Sequence, residues 1–300
     1  MTKISGSIVF FGSGPVATKS LKHLLKHFNV SEVVTKPTTI SEMENLCRSS
    51  STAVFSVSTR GQLDELTTSG KLSNLLGVVV DFGVIISKAT IEHFQFGIIN
   101  SHFSLLPQWR GADPITFSIL SGQKQTGVSL MLINESLDEG NLLLQERVPI
   151  NRGASTPSLT KYLVEKSNKM LSHNIPRYLS GELHSFSQSK SGISYSRKLT
   201  KQDGLLDWNK TADELEREIR AYIEWPKSRT VLGGIEVIIS KAHCISDNFG
   251  EVGGIKIKDS HEILIQCSEG CLSIDTIKPI GKREMSAEAF LAGYKSRLEK

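Results

Sequence analysis

The sequence predicts an α/β fold class: a Rossmann-like, mainly parallel sheet in an N-terminal domain, followed by a smaller C-terminal OB-like β-barrel domain. Over the first hundred residues, short apolar runs alternate with amphipathic segments, which is the βα order of a parallel sheet. After Arg229 the pattern changes to short alternating runs separated by Gly, Asp and Ser, which favours a small antiparallel barrel. With 300 residues, of which 39% are hydrophobic, the chain can bury two cores. We expect domains over residues 1–181 and 197–300, joined by a Ser-rich linker over 182–196.

The first strand, over residues 7–11, leads into a glycine turn and an amphipathic helix that reaches about Phe28. Pro15 suits the first turn of this helix, because its missing N–H would be unpaired there anyway. The turn also satisfies the G-x-G-x-x-G/A fingerprint of dinucleotide-binding proteins. That fingerprint requires an acidic residue after the second strand, and this chain has Thr35 and Lys36 there. A tight βα turn is therefore favoured over a nucleotide site.

The βα alternation continues with a strand over residues 53–57, a helix over 62–69 and a strand over 77–80. The turn Asp81, Phe82, Gly83 follows the last of these strands. Sheets of this class bind ligands beyond the carboxyl ends of their strands. The turn is therefore a candidate pocket lining, although for each residue a simple strand-ending turn is an equal alternative.

The most informative stretch runs from Gly97 to Gly140. It opens with a buried strand that ends in Asn100-Ser101-His102, and residues two apart on a strand share a face. Asn100 and His102 therefore point into the same space. An amide can hydrogen-bond an oxygen that becomes an oxyanion, and an imidazole can manage a proton. The third member of this predicted catalytic group is Asp138, in the turn Leu-Asp-Glu-Gly.

The later elements follow from the same patterns. Residues 126–134 and 141–150 are predicted as two strands joined through that turn, and residues 155–181 as a helix that Gly181 ends. Residues 211–221 form a charged amphipathic helix with Leu215 and Ile219 one turn apart.

The central stretch resembles the 10-formyltetrahydrofolate-dependent formyltransferase family, whose pattern is N-x-H, then SLLP, an aromatic residue and a glycine, then a later D-x-G. Within that family the similarity is greatest to the members that act on methionyl initiator tRNA. It continues through residues 195–208, 219–226 and 278–291, and it weakens only between about Lys36 and Ala53.

This resemblance implies a function for the candidate residues. The N-terminal domain would be catalytic and would use 10-formyltetrahydrofolate as co-substrate, with Asn100, His102 and Asp138 in catalysis. The acceptor would be the α-amine of initiator methionyl-tRNA, bound in part by the C-terminal domain. The folate would be bound by two loops, which are Ser104, Leu105, Leu106 and Pro107, and Asp81, Phe82 and Gly83.

Three other functions stay open at this point. A sugar-nucleotide or small-amine formyltransferase would share the catalytic triplet. A nicotinamide-dependent dehydrogenase would use the first glycine turn, and a non-catalytic RNA-binding protein would use only the barrel.

Charge does not decide the question of tRNA. The net charge is +4, and residues 191–300 contain 17 Lys and Arg against 17 Asp and Glu. In the family, a longer basic loop follows the second strand, and here Lys36 and Arg48 bracket a shorter segment. The candidate tRNA contacts are therefore Lys36, Arg110, Lys278, Lys282 and Arg283.

Composition also excludes several classes. No apolar run approaches the roughly 20 residues that a membrane helix requires, and the N-terminal residues lack the apolar stretch of a signal peptide. We expect a cytoplasmic monomer. Cys267 and Cys271 have no His nearby, so we expect ordinary cysteines and no metal cofactor.

Overall fold

The computed structural model describes residues 7–259 and 261–299, which form two compact units. The first unit contains residues 7–114, 125–149 and 160–196, and the second contains 115–124, 150–159, 197–259 and 261–299. The predicted domain ends at Met1 and Lys300 lie outside the described residues. The two structural units also differ from the predicted domains inside the chain, because two short segments, 115–124 and 150–159, belong to the second unit.

The first unit is built on a seven-stranded sheet. Its strands are β1 (Ser7–Gly12), β2 (Asn29–Thr35), β3 (Ala53–Ser56), β4 (Leu76–Val80), β5 (Ile98–His102), β7 (Gln125–Leu132) and β8 (Leu142–Pro149), in the order β3-β2-β1-β4-β5-β7-β8 across the sheet. The first five of these strands are mutually parallel, and β7 and β8 are antiparallel additions at one edge. The predicted mainly parallel sheet is therefore confirmed. Two further short strands, β6 (Arg110–Gly111) and β9 (Tyr195–Ser196), form a separate two-stranded sheet.

Helices connect the parallel strands and cover the sheet. They are α1 (Gly14–His27), α2 (Ile40–Cys47), α3 (Arg60–Thr68) and α4 (Lys88–Glu92). Two later helices lie outside the parallel part: α5 (Pro114–Leu120) belongs to the second unit from Ile115 onward, and α6 (Thr156–Leu179) belongs to the first unit from Thr160 onward. The strands β1 and β4 are almost wholly buried because both of their faces are covered. Phe11 is fully buried and packs edge to face on Phe82 and Phe94, which fixes the loop after β4 against the core.

The polar segment after β2 is more regular than its sequence suggests. A 3-10 turn, Pro37–Thr39, leads directly into α2, whose buried residues are Met43 and Cys47, one turn apart. Two apolar side chains at that spacing are enough to attach a short helix to the sheet, although they do not produce a visible period.

The segment predicted as a linker, 182–196, belongs to the first unit. The backbone N–H and C=O of Phe186 pair with Leu142, and β9 pairs with β6. The segment is therefore attached to the first unit at several points, while most of its side chains are exposed.

The second unit contains an antiparallel sheet in the order β10-β11-β14-β13-β12, with β15 paired to β14. Its strands are β10 (Ser228–Leu232), β11 (Ile235–Ile245), β12 (Ile255–Lys258), β13 (Glu262–Gln266), β14 (Cys271–Pro279) and β15 (Met285–Ser286). Helices α7 (Ala212–Ala221) and α8 (Ala287–Leu298) cover its core, to which Leu215, Ile219 and Phe290 contribute. The predicted antiparallel C-terminal sheet is confirmed. Among the described helices of both units, none is long and apolar enough to cross a membrane.

Candidate active site

The loops that follow β1, β2 and β4 meet at the carboxyl edge of the parallel sheet. The backbone N–H of Ser13 donates to the carbonyl of Asp81 at 2.8 Å, and the N–H of Lys36 donates to Ser13 Oγ at 3.0 Å. The strand β5 ends beside these loops, since it pairs with β4. Open α/β sheets bind ligands at this edge.

Asn100 and His102 lie on β5 at the predicted spacing. Asn100 is partly exposed, whereas His102 is only 5% exposed. Within residues 7–259 and 261–299, the side-chain amide of Asn100 has no hydrogen-bond partner. It is therefore a donor that is held by the strand and available to a ligand.

The hydrogen bonds of His102 define its tautomer. Its Nε2 lies 2.9 Å from the carbonyl oxygen of Trp109, and a carbonyl can only accept, so Nε2 carries the hydrogen. The other nitrogen, Nδ1, lies 3.7 Å from Asp138 Oδ2, which is longer than a direct hydrogen bond. Nδ1 is thus the nitrogen that can take up a proton, and the carboxylate beside it would stabilise the resulting imidazolium.

Asp138 is held by the backbone around it. Its Oδ2 accepts a 2.7 Å hydrogen bond from the N–H of Gly111, and its own φ is +51°. Among the five described non-glycine residues with a clearly positive φ, three belong to this region: Asp81, Trp109 and Asp138. Such conformations cost roughly 1–3 kcal/mol each and cluster at functional sites. No pattern in the local sequence indicates this strain.

The glycine of the Leu-Asp-Glu-Gly turn is required by close packing. A Cβ at Gly140 would collide with the carbonyl oxygen of Leu132 on the neighbouring strand β7. Since that oxygen is backbone, it cannot move aside without disturbing the sheet.

The structure gives Arg110 a different role from the tRNA contact predicted for it, and this corrects that prediction. Arg110 is only 5% exposed, and its guanidinium donates to Glu139 Oε1 at 2.7 Å and to Gln188 Oε1 at 2.8 Å. The amide of Gln188 in turn donates to the carbonyls of Asp138 and Gly140, at 2.7 and 2.9 Å. A buried, paired guanidinium is not available to a phosphate. Here the Arg110 guanidinium and Gln188 stabilise the loop that carries Asp138.

The Asp81 loop is brought together with Lys36. An ideal Cβ at Gly83 would lie 2.8 Å from Lys36 Nζ, so the lysine side chain reaches across the loop. Desolvation by the surrounding protein raises the pKa of Asp81, an effect that Lys36 opposes and Asp113 reinforces. Phe82 is 3% exposed and packs in the core, so its side chain is not part of the pocket and only its backbone could touch a ligand.

The SLLP loop is fixed by side chains that the sequence did not single out. Ser129 Oγ donates to the carbonyl of Ser104 at 2.6 Å and accepts from the N–H of Leu106 at 3.1 Å. Gln145 donates to the carbonyl of Leu106 at 2.8 Å. The carbonyl of Pro107 accepts from the N–H of Ser194. Much of the loop backbone is therefore already hydrogen-bonded within the protein, and these bonds hold the loop in place beside His102.

The remaining predicted cations lie in the second unit. Lys278 is on β14 and is partly exposed, whereas Lys282 and Arg283 are exposed in the turn between β14 and β15. Within the described part of the chain, no cluster of three or more His, Cys, Asp or Glu is placed to hold a metal ion.

Together these residues can support nucleophilic attack on a carbonyl carbon. The free amide of Asn100 can donate to an oxyanion, Nδ1 of His102 can accept a proton, and Asp138 can stabilise the charge that results.

Comparison with known proteins gave matches along nearly the whole chain. A family model described as formyl transferase matches residues 7–175, and one described as formyl transferase, C-terminal domain, matches residues 198–295. Methionyl-tRNA formyltransferase from Pseudoalteromonas translucida is 32% identical over 95% of this chain and 93% of its own length. The protein of that name from Myxococcus xanthus is 34% identical over 96% and 95%.

Solved structures have the same fold. The N-formyltransferase from Helicobacter canadensis, in complex with folinic acid and dTDP-3-aminofucose, superposes with a TM-score of 0.72 at 20% identity, over 93% of this chain and 99% of that one.

Proposed function

The chain belongs to the formyl transferase family, and from that premise we propose that it transfers the formyl group of 10-formyltetrahydrofolate to the α-amino group of methionyl initiator tRNA. The family resemblance carried by the central stretch is thereby confirmed. The acceptor is supported by relatives named methionyl-tRNA formyltransferase, which align over almost the full length of both proteins. The observation that carries the chemistry is the convergence of Asn100, His102 and Asp138 at the carboxyl edge of the sheet.

The reaction forms one C–N bond and breaks another. The neutral amine of the methionyl group attacks the formyl carbon, and the carbonyl oxygen becomes an oxyanion that the Asn100 amide stabilises. The attacking nitrogen then loses a proton to His102 Nδ1, and the imidazolium faces Asp138. When the bond to N10 of the folate breaks, the imidazolium returns this proton to N10, directly or through water, so that protons balance and neutral His102 is regenerated.

The folate is proposed to lie between the Asp81–Gly83 loop and the SLLP loop. Asp81, Gly83 and the backbone of Phe82 would form one side, and Ser104, Leu105, Leu106 and Pro107 the other. This arrangement is supported by the position of both loops at the sheet edge beside His102. Lys36 lies at the same edge and is a candidate for contact with an anionic group of either substrate.

The C-terminal domain, residues 197–300, is proposed to bind tRNA through Lys278, Lys282 and Arg283. Its support is the exposure of Lys282 and Arg283 in a turn between β14 and β15. The N-terminal catalytic domain is proposed over 1–181, with 182–196 as the connection between the two.

A sugar-nucleotide acceptor is the second candidate, because the N-formyltransferase from Helicobacter canadensis is similar in fold. The deciding experiment measures transfer of labelled formyl from 10-formyltetrahydrofolate to charged initiator tRNA, with elongator methionyl-tRNA and a dTDP-amino sugar as competing acceptors. We expect label on the initiator tRNA. Label on the sugar, with none on either tRNA, would contradict the proposed acceptor.

A further inference from the structure

The outer surface of α1 carries a row of lysines that the catalytic site does not use. Lys19, Lys22 and Lys26 line a cavity of about 520 Å³ together with Lys161 of α6. A second cavity, of about 770 Å³, lies on the other side of Lys22 and Lys26 and is bounded by Arg48 and the hydroxyl-rich segment 49–52. We call these five cations, Lys19, Lys22, Lys26, Arg48 and Lys161, the basic face.

The charges of the basic face are not balanced by the protein. All five side chains are exposed, and within residues 7–259 and 261–299 none has a carboxylate within ion-pair distance. Glu165 is the one acidic residue among those that line the two cavities. Like charges at neighbouring positions of a helix repel one another, so this arrangement costs stability unless an anion compensates for it.

Two residues that line the first cavity each carry a buried polar atom. Asn168, only 8% exposed, and His23 both line it, and Asn168 Oδ1 and His23 Nε2 have no hydrogen-bond partner among the described residues. An Asn amide can present either its oxygen or its NH₂ group by rotation. Burial, His27 and Lys26 lower the pKa of His23, and a neutral imidazole can use Nε2 as donor or acceptor depending on its tautomer. Both residues can therefore serve a polar ligand in the cavity.

The spacing of the lysines indicates an extended ligand. Lys19, Lys22 and Lys26 lie on one side of α1, and the rise of about 1.5 Å per residue spreads them over roughly 10 Å. Duplex nucleic acid carries one negative charge per about 1.7 Å of axis when both strands are counted, so this length of duplex contains roughly six phosphates and about three on each strand. Lysine presents a point charge and lacks the planar guanidinium of arginine that binds two acceptors at once. Apart from Phe28 and the ring of His23, no aromatic side chain lines either cavity. These features suit a phosphate backbone that is bound without reading its bases.

We propose that the basic face binds the phosphate backbone of the tRNA acceptor stem independently of sequence, an inference that rests on the proposed function. Helix α1 begins at Gly14, beside the loops of the candidate active site, and Lys19 to Lys26 lie about 8–18 Å along its axis from there. A duplex whose 3′ end reaches His102 can therefore run along α1. The basic face thus provides cations in place of those that the shortened segment after β2 lacks.

The test compares two triple variants of the full chain. One is Lys19→Ala/Lys22→Ala/Lys26→Ala, and the control is Lys71→Ala/Lys88→Ala/Lys169→Ala, three exposed lysines of the first unit that line neither cavity. Alanine keeps the helix, so both variants should fold, and Tm measurements check this. Initiator-tRNA affinity is then measured between about 50 and 200 mM KCl.

For the basic-face variant we expect the slope of log affinity against log salt to decrease by about 0.7–0.9 per lysine, and KM for tRNA to rise about tenfold or more. Folate affinity and kcat at saturating tRNA should not change. The control variant should lose less than one unit of slope. Equal slopes and KM values for the two variants would overturn the proposal.

Two further arms separate the proposal from the proposed function. Wild-type formylation of charged tRNA reports on the function alone, so an active wild type with an unaffected basic-face variant overturns only the tRNA face. A wild type that binds duplex RNA through these lysines but does not formylate tRNA overturns only the function. Inorganic tripolyphosphate is the competitor: if its binding needs the three lysines and tRNA binding does not, the face holds a small phosphate ligand and the proposal fails.

Discussion

At the scale of single residues, the side chains of the candidate site are held by partners from distant parts of the chain, among them Ser194 and Gln188. Asn100 and His102 follow from the two-residue period of a strand, which is a local property. The bond from His102 to the Trp109 carbonyl depends on the positive φ of Trp109, whose N–H is held by Ser194 from far along the chain. The burial of Arg110 likewise depends on Glu139 and Gln188, so an arginine that looked exposed became part of the interior.

The free amide of Asn100 leads to a prediction about this residue. Asn100→Ala should lower kcat about 10²–10³-fold, because an oxyanion donor is lost. Tm should be nearly unchanged, since the amide makes no hydrogen bond to the described protein. Single-turnover formyl transfer and calorimetry measure the two effects, and Asn151→Ala, at an exposed position of the second unit, is the control. Normal turnover in Asn100→Ala would remove this residue from the mechanism.

At the scale of elements, the loop between β7 and β8 shows the limit of sequence patterns. The turn was predicted from its position between two strands, and its glycine is explained by the contact with Leu132. The hydrogen bonds that Gln188 donates to this loop come from the segment predicted as a linker. No rule of sequence spacing connects the linker segment with the loop between β7 and β8, because the two are far apart in the chain. The helix α2 was not predicted from the sequence, because only two of its residues are buried and they do not produce a clear hydrophobic period.

The hydrogen bonds from Gln188 to the loop that carries Asp138 predict that Gln188 is a positioning residue. Gln188→Leu removes two donors to the Asp138 loop and leaves Arg110 with one partner fewer. We expect kcat to fall by about tenfold or more while KM for the folate stays within about twofold, because the loop carries Asp138 but the folate loops are fixed elsewhere. Steady-state kinetics at a temperature well below Tm measure kcat and KM for Gln188→Leu and for the control Gln95→Leu, whose substituted residue is exposed.

A purely structural role for Gln188 would lower Tm and the amount of active enzyme without changing kcat per folded molecule. Active-site titration with a tight folate analogue separates these cases. An unchanged kcat per titrated site would rule out the positioning role.

At the scale of the whole molecule, the change of hydrophobic pattern along the chain predicted two β-containing parts of different type, and both sheets are present. The limits of the parts were harder to predict, since residues 115–124 and 150–159 belong to the second unit although they precede the linker. Such crossings depend on long-range packing, which has no local signature in the sequence.

The attachment of the linker predicts where proteases act. Lys190 lies in an exposed stretch between two anchored points, the side chain of Gln188 and the backbone of Ser194. Limited trypsin digestion should therefore cut first after Lys190, because its backbone can open without loss of sheet pairing. Mass spectrometry of the first fragments measures this, and Lys190→Gln should delay the cut. First cleavage inside residues 97–140 would contradict the proposed connection.

In the proposed reaction, His102 and Asp138 act on the same proton. A double-mutant cycle of His102→Ala and Asp138→Asn in single-turnover formyl transfer, with folate affinity measured in parallel, tests it most directly. Each single variant should lose about 10²–10⁴-fold in rate with folate affinity retained, and the double variant should lose little more than the worse single variant. If the two losses multiply, or if His102→Ala turns over at a near-normal rate, the two residues do not form a catalytic pair.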